Sequence, residues 1–167
     1  MKKHIVILLL FVSSFSFAQS MTNEKLDIIF KTVSDSIQGQ EGRWQFLIND
    51  KPIICITDEN HNRMRIISPI AELFKLDEET KTNALEANFH TALDVKYAVS
   101  DNLLWSVFIH PLKELTVAQV KDAVKQVYFA NVNFGTTYSS TPLIFPGREE
   151  NNEKEEEPQE ELHQKRI

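Results

Sequence analysis

The sequence predicts an α+β fold: an antiparallel five-stranded sheet with three helices, in the order α-β-β-β-α-β-β-α. Three observations carry this. Apolar residues alternate with polar ones in five short segments separated by brief polar turns, which implies antiparallel neighbours. Three other segments carry apolar residues at helical spacing and bracket the strands. The chain has 167 residues, 42% of them hydrophobic and 25% charged, a composition that suits one modest globular core.

The first helix is read from Leu26, Ile29, Phe30, Val33 and Ile37, one stripe at i, i+3, i+4, i+7 and i+11. Thr22 or Asn23 supplies an N-cap, and Gly39 and Gly42 end the helix. Strands follow. Trp44, Phe46 and Ile48 alternate with Arg43, Gln45 and Leu47, and Asn49-Asp50-Lys51-Pro52 makes a turn. Ile53 to Thr57 is rich in β-branched residues, and Asp58 to Asn62 is a polar turn. Arg63 to Ser68 alternates again before Pro69. The second helix spans about Asp77 to Ala92, with Leu76, Leu85, Phe89 and Leu93 as apolar positions and Glu78 and Glu79 near its N-terminus. Val95, Tyr97 and Val99 form a strand, Ser100-Asp101-Asn102 turns the chain, and Leu103 to His110 forms the last strand. The third helix runs from near Thr116 to about Asn133, with Val117, Val120, Val124 and Val127 on its buried face and Gly135 as a stop.

The two ends differ from this middle. Lys2 and Lys3, the apolar run Ile5 to Val12 and Ser16-Phe17-Ala18 read as a signal peptide over residues 1–18, cleaved after Ala18. The apolar run is too short for a membrane span of roughly 20 residues. The mature protein is therefore expected to start at Gln19 and to be exported, periplasmic or secreted. From Glu149 to Ile167, eight glutamates face Lys154, Lys165 and Arg166. Such a stretch buries too little apolar surface to fold, so 142–167 is expected to be an acidic, disordered tail after a domain over 19–141. It acts either as a solubilising end or as a charged interaction segment. Without Lys2, Lys3 and Glu149 to Ile167 the chain holds 13 basic and 16 acidic residues. Most of the net charge of −6 thus belongs to the tail. An acidic chain is a poor nucleic-acid binder.

Chemistry-bearing patterns are sparse. One cysteine, Cys55, excludes an internal disulfide and a Cys-based zinc site, and the chain has no HExxH and no Gly-rich phosphate loop. Asp58, Glu59 and His61 share a loop that would hold a cation or simply form a solvated turn. Cys55, His90 and His110 are the residues from which an unrecognised enzyme site would have to be built. Cys55 sits among Ile53, Ile54 and Ile56, where a free cysteine is usually a small buried hydrophobe. No cofactor is expected.

Several segments resemble the YbjN-like family of the type III secretion chaperone-like (Tir-chaperone-like) superfamily. They are Gly42-Arg43-Trp44-Gln45-Phe46, Asn62 to Ile70, Leu85-Glu86-Ala87-Asn88-Phe89 and Leu104 to Leu112, and the likeness covers roughly Thr22 to Phe134. The resemblance implies an α+β fold, frequent dimerisation and binding of partner polypeptides rather than catalysis. The export signal and the acidic tail lie outside it.

The last strand carries apolar residues on both faces. Leu103, Trp105, Val107 and Ile109 line one, Leu104, Ser106 and Phe108 the other. With helices mainly on one side, the second face needs cover. The third helix, the Tyr138 to Phe145 segment, a second copy of the chain or a client peptide would supply it. Leu104 and Phe108, with Arg63 and Arg65 on a neighbouring strand, are the expected partner-binding residues. The expectation is an exported, non-enzymatic, protein-binding module with a polypeptide partner or itself as a homodimer. A structural envelope protein is the other non-enzymatic reading.

Overall fold

The computed structural model describes residues 20–142. The expected signal peptide and all but the first residue of the expected tail lie outside the described residues. The elements are α1 (Asn23–Val33), β1 (Ser36–Gln40), β2 (Arg43–Ile48), β3 (Lys51–Asp58), β4 (Arg63–Glu72) and a 3-10 turn (Leu73–Lys75). There follow α2 (Glu78–His90), β5 (Lys96–Ser100), β6 (Leu103–His110) and α3 (Val117–Val132). The fold is α+β, and every strand pair is antiparallel. The sheet has six strands, in the spatial order β1-β2-β3-β4-β6-β5.

The five-strand expectation is corrected by β1. Ile37 continues the helical stripe in sequence, but α1 stops after Val33. Ser34 turns extended, and both its backbone N–H and its hydroxyl bond to Phe30 O. Asp35 N then reaches Leu47 O, and Ile37 pairs with Phe46 across a hairpin. Gly39 makes that hairpin possible. Its φ is +113°, and an added Cβ would sit 2.3 Å from Arg43 O. The observed order is therefore α-β-β-β-β-α-β-β-α.

Two hairpins turn on residues that tolerate left-handed backbone. Asn49 and Asp50 (φ 45° and 64°) join β2 to β3, and Asp101 and Asn102 (φ 54° and 60°) join β5 to β6. Each helix begins with a side-chain cap. Thr22 accepts from Lys25 N, Asp77 accepts from Thr80 N, and Thr116 with Gln119 forms a reciprocal capping box.

Strand register and burial separate the sheet into two faces. One inner row reads Trp44, Cys55, Ile66, Phe108, and the next contains Phe46, Ile53, Ser68, Ser106, Tyr97. All of these are buried. Helices α1 and α3 cover this face. Phe30 of α1 stacks on Phe46 at 4.9 Å and meets Trp44 edge-on at 5.4 Å. Val120, Val124 and Val127 of α3 are fully enclosed. Burying each such side chain contributes roughly 1.5–3 kcal/mol.

Buried polar groups fix the position of α3. Asn131 Nδ2 donates to Ser68 Oγ and to Pro69 O, both at 2.7 Å, and Ser106 Oγ donates to Val127 O at 3.0 Å. Among the described residues no buried side-chain nitrogen or oxygen lacks a partner.

Helix α2 differs from its sequence reading. Only Ala84 and Ala87 are buried, while Leu85 is 68% and Phe89 87% exposed. The helix closes one edge of the sheet instead. Asn88 Oδ1 accepts from Tyr97 N at 2.6 Å, and its Nδ2 donates to Tyr97 O at 3.1 Å. Strand β5 therefore offers no free backbone pair at that point. Among the described residues no helix is long and apolar enough to cross a membrane.

Candidate functional site

The outer face of the sheet is the surface opposite α1 and α3. Its side chains alternate with the core residues just described. One row runs Arg43, Ile56, Arg65, Ile109 across β2, β3, β4 and β6. The next runs Gln45, Ile54, Ile67, Val107, Lys96. Leu47, Pro52, Pro69 and Trp105 extend it toward the far end. Ile56 is 39% and Ile109 57% exposed, and Ile54, Ile67, Trp105 and Val107 are half-buried. Such a continuous apolar strip on a solvent-facing sheet is unusual when left uncovered.

The strip has a basic border. Arg43, Arg63 and Arg65 are all exposed. Arg63 Nη1 donates to Asn62 O at 3.3 Å, and none of the three makes an ion pair with a carboxylate among the described residues. Arg43 and Arg65 lie two strands apart, about 10 Å, with Ile56 between them. A shallow depression of about 500 Å³ lies between Ile56, Asp58, Arg63, Arg65 and Ile109. Lys96 points to the same face, but its Nζ donates to Asn88 O and Leu93 O.

The expected partner-binding residues divide between the two faces. Arg63 and Arg65 lie on the open one. Leu104 (4% exposed) and Phe108 (6%) lie on the inner one, under α3, and that part of the expectation is corrected. The sequence placed the two faces of β6 in the right sets but gave them the wrong assignment. The third helix covers the even-numbered set, so Trp105, Val107 and Ile109 become the open set. The signal that could have decided this is Ser106, a small polar residue that lets α3 approach closely enough to bond Val127 O.

The other candidates do not assemble. Cys55 is completely buried between Trp44 and Ile66, and burial pushes its thiol pKa far above the ordinary range. Strand geometry sets its backbone about 12 Å from that of His110. His110 lies flat against Phe108 and bonds Pro111 O through Nδ1, while His90 is an exposed residue at the end of α2. This removes the geometric support for a Cys55, His90 and His110 site. The Asp58, Glu59, His61 loop also divides. Asp58 accepts from His61 N and lies 2.7 Å from His61 Nδ1, whereas Glu59 turns away to accept from Asn23 N. The His61 backbone N–H, then its ring, holds the Asp58 carboxyl below the usual range. Among the described residues no three His, Cys, Asp or Glu side chains are placed to share a metal.

A second depression, about 450 Å³, lies between β6 and α3 and is bordered by Asp94, Asp122 and Gln126. Its polar groups satisfy one another. Gln126 Nε2 donates to Asp122 at 2.7 Å and to Asp94 at 3.3 Å, and Gln126 Oε1 accepts from Asp94 N.

No protein-family model and no curated protein matches the chain. Solved structures do. A chain of the HopA1-SchA chaperone-effector complex is 12% identical, with a TM-score of 0.48, over 66% of this chain and 95% of that one. A chain of the ExsC-ExsE complex is 11% identical, with a TM-score of 0.49, over 67% of this chain and 95% of that one.

Proposed function

We propose that the protein is an exported, non-enzymatic polypeptide-binding module of the YbjN-like type, acting through the outer face of its sheet. The observation that carries this is the strip of Ile56, Ile109 and their half-buried neighbours, which no element among the described residues covers, bordered by Arg43, Arg63 and Arg65. The resemblance of Gly42 to Phe46, Asn62 to Ile70 and Leu104 to Leu112 to the YbjN-like proteins supports the same reading. An extended, partly acidic peptide fits both halves of the surface. Apolar side chains would meet the isoleucines, and carboxylates would meet the guanidiniums, whose planar donors suit bidentate contact.

Site-specific photocrosslinking in producing cells tests it. A photoreactive residue at Ile109 or Ile56 should yield a discrete polypeptide adduct, and one at Lys125, exposed on α3, should not. Adducts from Lys125 alone, or from neither outer-face site, would remove the proposal. N-terminal sequencing of the released protein tests export, with Gln19 as the expected first residue.

Self-association is assigned to a different surface. Leu85 and Phe89 stand one turn apart on α2 and are the most exposed apolar pair on any helix described. Two outer faces brought together would set arginines against arginines, whereas two α2 helices would bury this pair. A homodimer through α2 predicts that Leu85→Asp with Phe89→Asp lowers the solution mass, while Ile109→Glu leaves it unchanged.

A further inference from the structure

The outer face is graded along its strands. Successive outward residues on one strand stand about 6.6 Å apart, so the face reads as parallel rows. The first row holds Arg63, opposite Asp58, whose carboxylate is taken by His61. The second holds Arg43 and Arg65, with Ile56 between them and Ile109 beyond. The third is apolar at its centre, with Ile54, Ile67 and Val107. The fourth holds Leu47, Pro52, Pro69, Trp105 and Ala98 and carries no charge.

The two ends of this gradient want different chemistry. At the first, three exposed guanidiniums make no ion pair among the described residues. At the last, the Trp105 indole is held in the row by its Nε1, which donates to Ser100 O at 3.1 Å. The turns beside that row carry Asp50 and Asp101, both exposed. A carboxylate is therefore drawn to one end and repelled from the other. Arg65 and Pro69 are four residues apart, about 13 Å along the strand. That exceeds the Debye length of about 8 Å at physiological salt, so the two ends act separately.

Geometry also chooses how an extended segment lies here. Parallel to the strands, it has the same rise and the same period of two, so its residues i, i+2, i+4 and i+6 fall on successive rows. Across the strands it would meet Arg43, Ile56, Arg65 and Ile109 in steps of about 4.8 Å, which a repeat of about 6.6 Å cannot follow.

We propose that the outer face selects the order of residues in its polypeptide partner. The segment lies parallel to the strands, with carboxylates at i and i+2 on Arg63, Arg43 and Arg65. An apolar residue at i+4 sits over Ile54 and Ile67, and an aromatic one at i+6 packs beside Trp105. The site thus reads acid-x-acid-x-apolar-x-aromatic. This deepens the function proposed above and rests on it for the class of partner.

Two synthetic peptides of one composition test the order on the isotope-labelled full chain. The ordered probe is acetyl-Glu-Ser-Glu-Ser-Val-Ser-Phe-amide, and the interleaved one is acetyl-Glu-Ser-Phe-Ser-Glu-Ser-Val-amide. Titration followed at the methyls of Ile54, Ile56, Ile67 and Ile109 should show the ordered probe binding at least threefold tighter, since exposed ion pairs are individually weak. A nitroxide on its glutamate end should broaden the methyls of Ile56 and Ile109 more than those of Leu47, and one on its phenylalanine end should do the reverse. Arg43→Gln with Arg65→Gln should abolish the preference, with unchanged Ile53 and Ile66 methyls reporting an intact fold. Equal affinities, no binding of either probe at millimolar concentration, equal broadening from both labels, or a preference that survives the arginine changes would each overturn the proposal. Outer-methyl shifts that grow with protein concentration alone would assign the face to a second copy and overturn it too. An Ile109 crosslink in cells beside probes bound without preference would sink the order and leave the proposed function standing. A clear preference with no crosslinked client would remove that function and leave the order as a property of the face.

Discussion

Phe108 and Ile109 are neighbours in sequence and face opposite sides of the sheet, so paired substitutions read the face assignment directly. Phe108 is 6% exposed beneath α3, in the row of Trp44, Cys55 and Ile66. Truncation at a buried phenylalanine costs about 3–5 kcal/mol, from lost transfer energy and the cavity left behind. In a domain of this size each kcal/mol lowers Tm by about 4 °C, so Phe108→Ala should lower it by about 12–20 °C. Ile109 is 57% exposed. Ile109→Ala should stay within about 0.5 kcal/mol, or about 2 °C. Calorimetry with urea unfolding measures both, and an unchanged m-value confirms that the same surface is exposed on unfolding. If Phe108→Ala unfolds the protein outright, Phe108→Leu should still lower Tm measurably, at about 1 kcal/mol. The crosslink placed at Ile56 should behave inversely, surviving Phe108→Leu and weakening with Ile109→Ala. Equal loss of stability from the two positions, or a larger one from Ile109, would refute the division into faces.

Asn131→Leu should destabilise by about 1–3 kcal/mol in urea unfolding, because it leaves the buried Ser68 hydroxyl and the half-buried Pro69 carbonyl without their donor; a neutral result would show that α3 is held by its valines alone. Cys55 should resist thiol-disulfide reagents in the native protein at pH 8 and react at the rate of global unfolding, because its thiol is both enclosed and kept protonated. Rapid stoichiometric reaction would refute its burial. Acid should destabilise the protein through Asp27, Asp58, Asp77 and Glu114. Their carboxyls are held low by Lys31, by His61, by Thr80 and by Asn62 respectively. A lowered folded pKa gives stability that is present above the ordinary carboxylate values of 3.8 for Asp and 4.5 for Glu. It is lost as pH falls through the folded values. Thermal melts should therefore drop below about pH 4, and Asp77→Ala should both lower Tm at pH 7 and flatten that acid limb. An acid limb unaltered by Asp77→Ala would show that this cap does not titrate with folding.

Much of the fold was legible because local chemistry and tertiary packing agree. The alternation from Arg43 to Ile48 and from Leu103 to His110, the polar turns at Asn49-Asp50 and Asp101-Asn102, and the stripe of Val120, Val124 and Val127 on α3 each match the observed element, whereas Val117, expected on the same buried face, is exposed in the first turn of α3. Helix α1 was read one turn too long. Ile37 fits both a helical stripe and a strand, and its pairing with Phe46 decides between them. Helix α2 kept its place but not its face, since Leu85 and Phe89 suggest burial and the sheet edge accepts only Ala84, Ala87 and Asn88. The arginines of the candidate site were legible; its apolar half was assigned to the wrong side.

The sequence by itself determined the α+β class, five of the six strands, the three helices and the inert setting of Cys55. Periodicity, turn residues and composition are local quantities, and they suffice for these. Only the tertiary structure decided the sixth strand and which face of the sheet α1 and α3 cover. Period-two alternation defines two sets of side chains and does not say which one a helix will cover. That choice was made by α3, which seats Asn131 on Ser68 and Val127 on Ser106 and so buries Leu104 and Phe108. Trp105, Val107 and Ile109 are left on the side of the arginines.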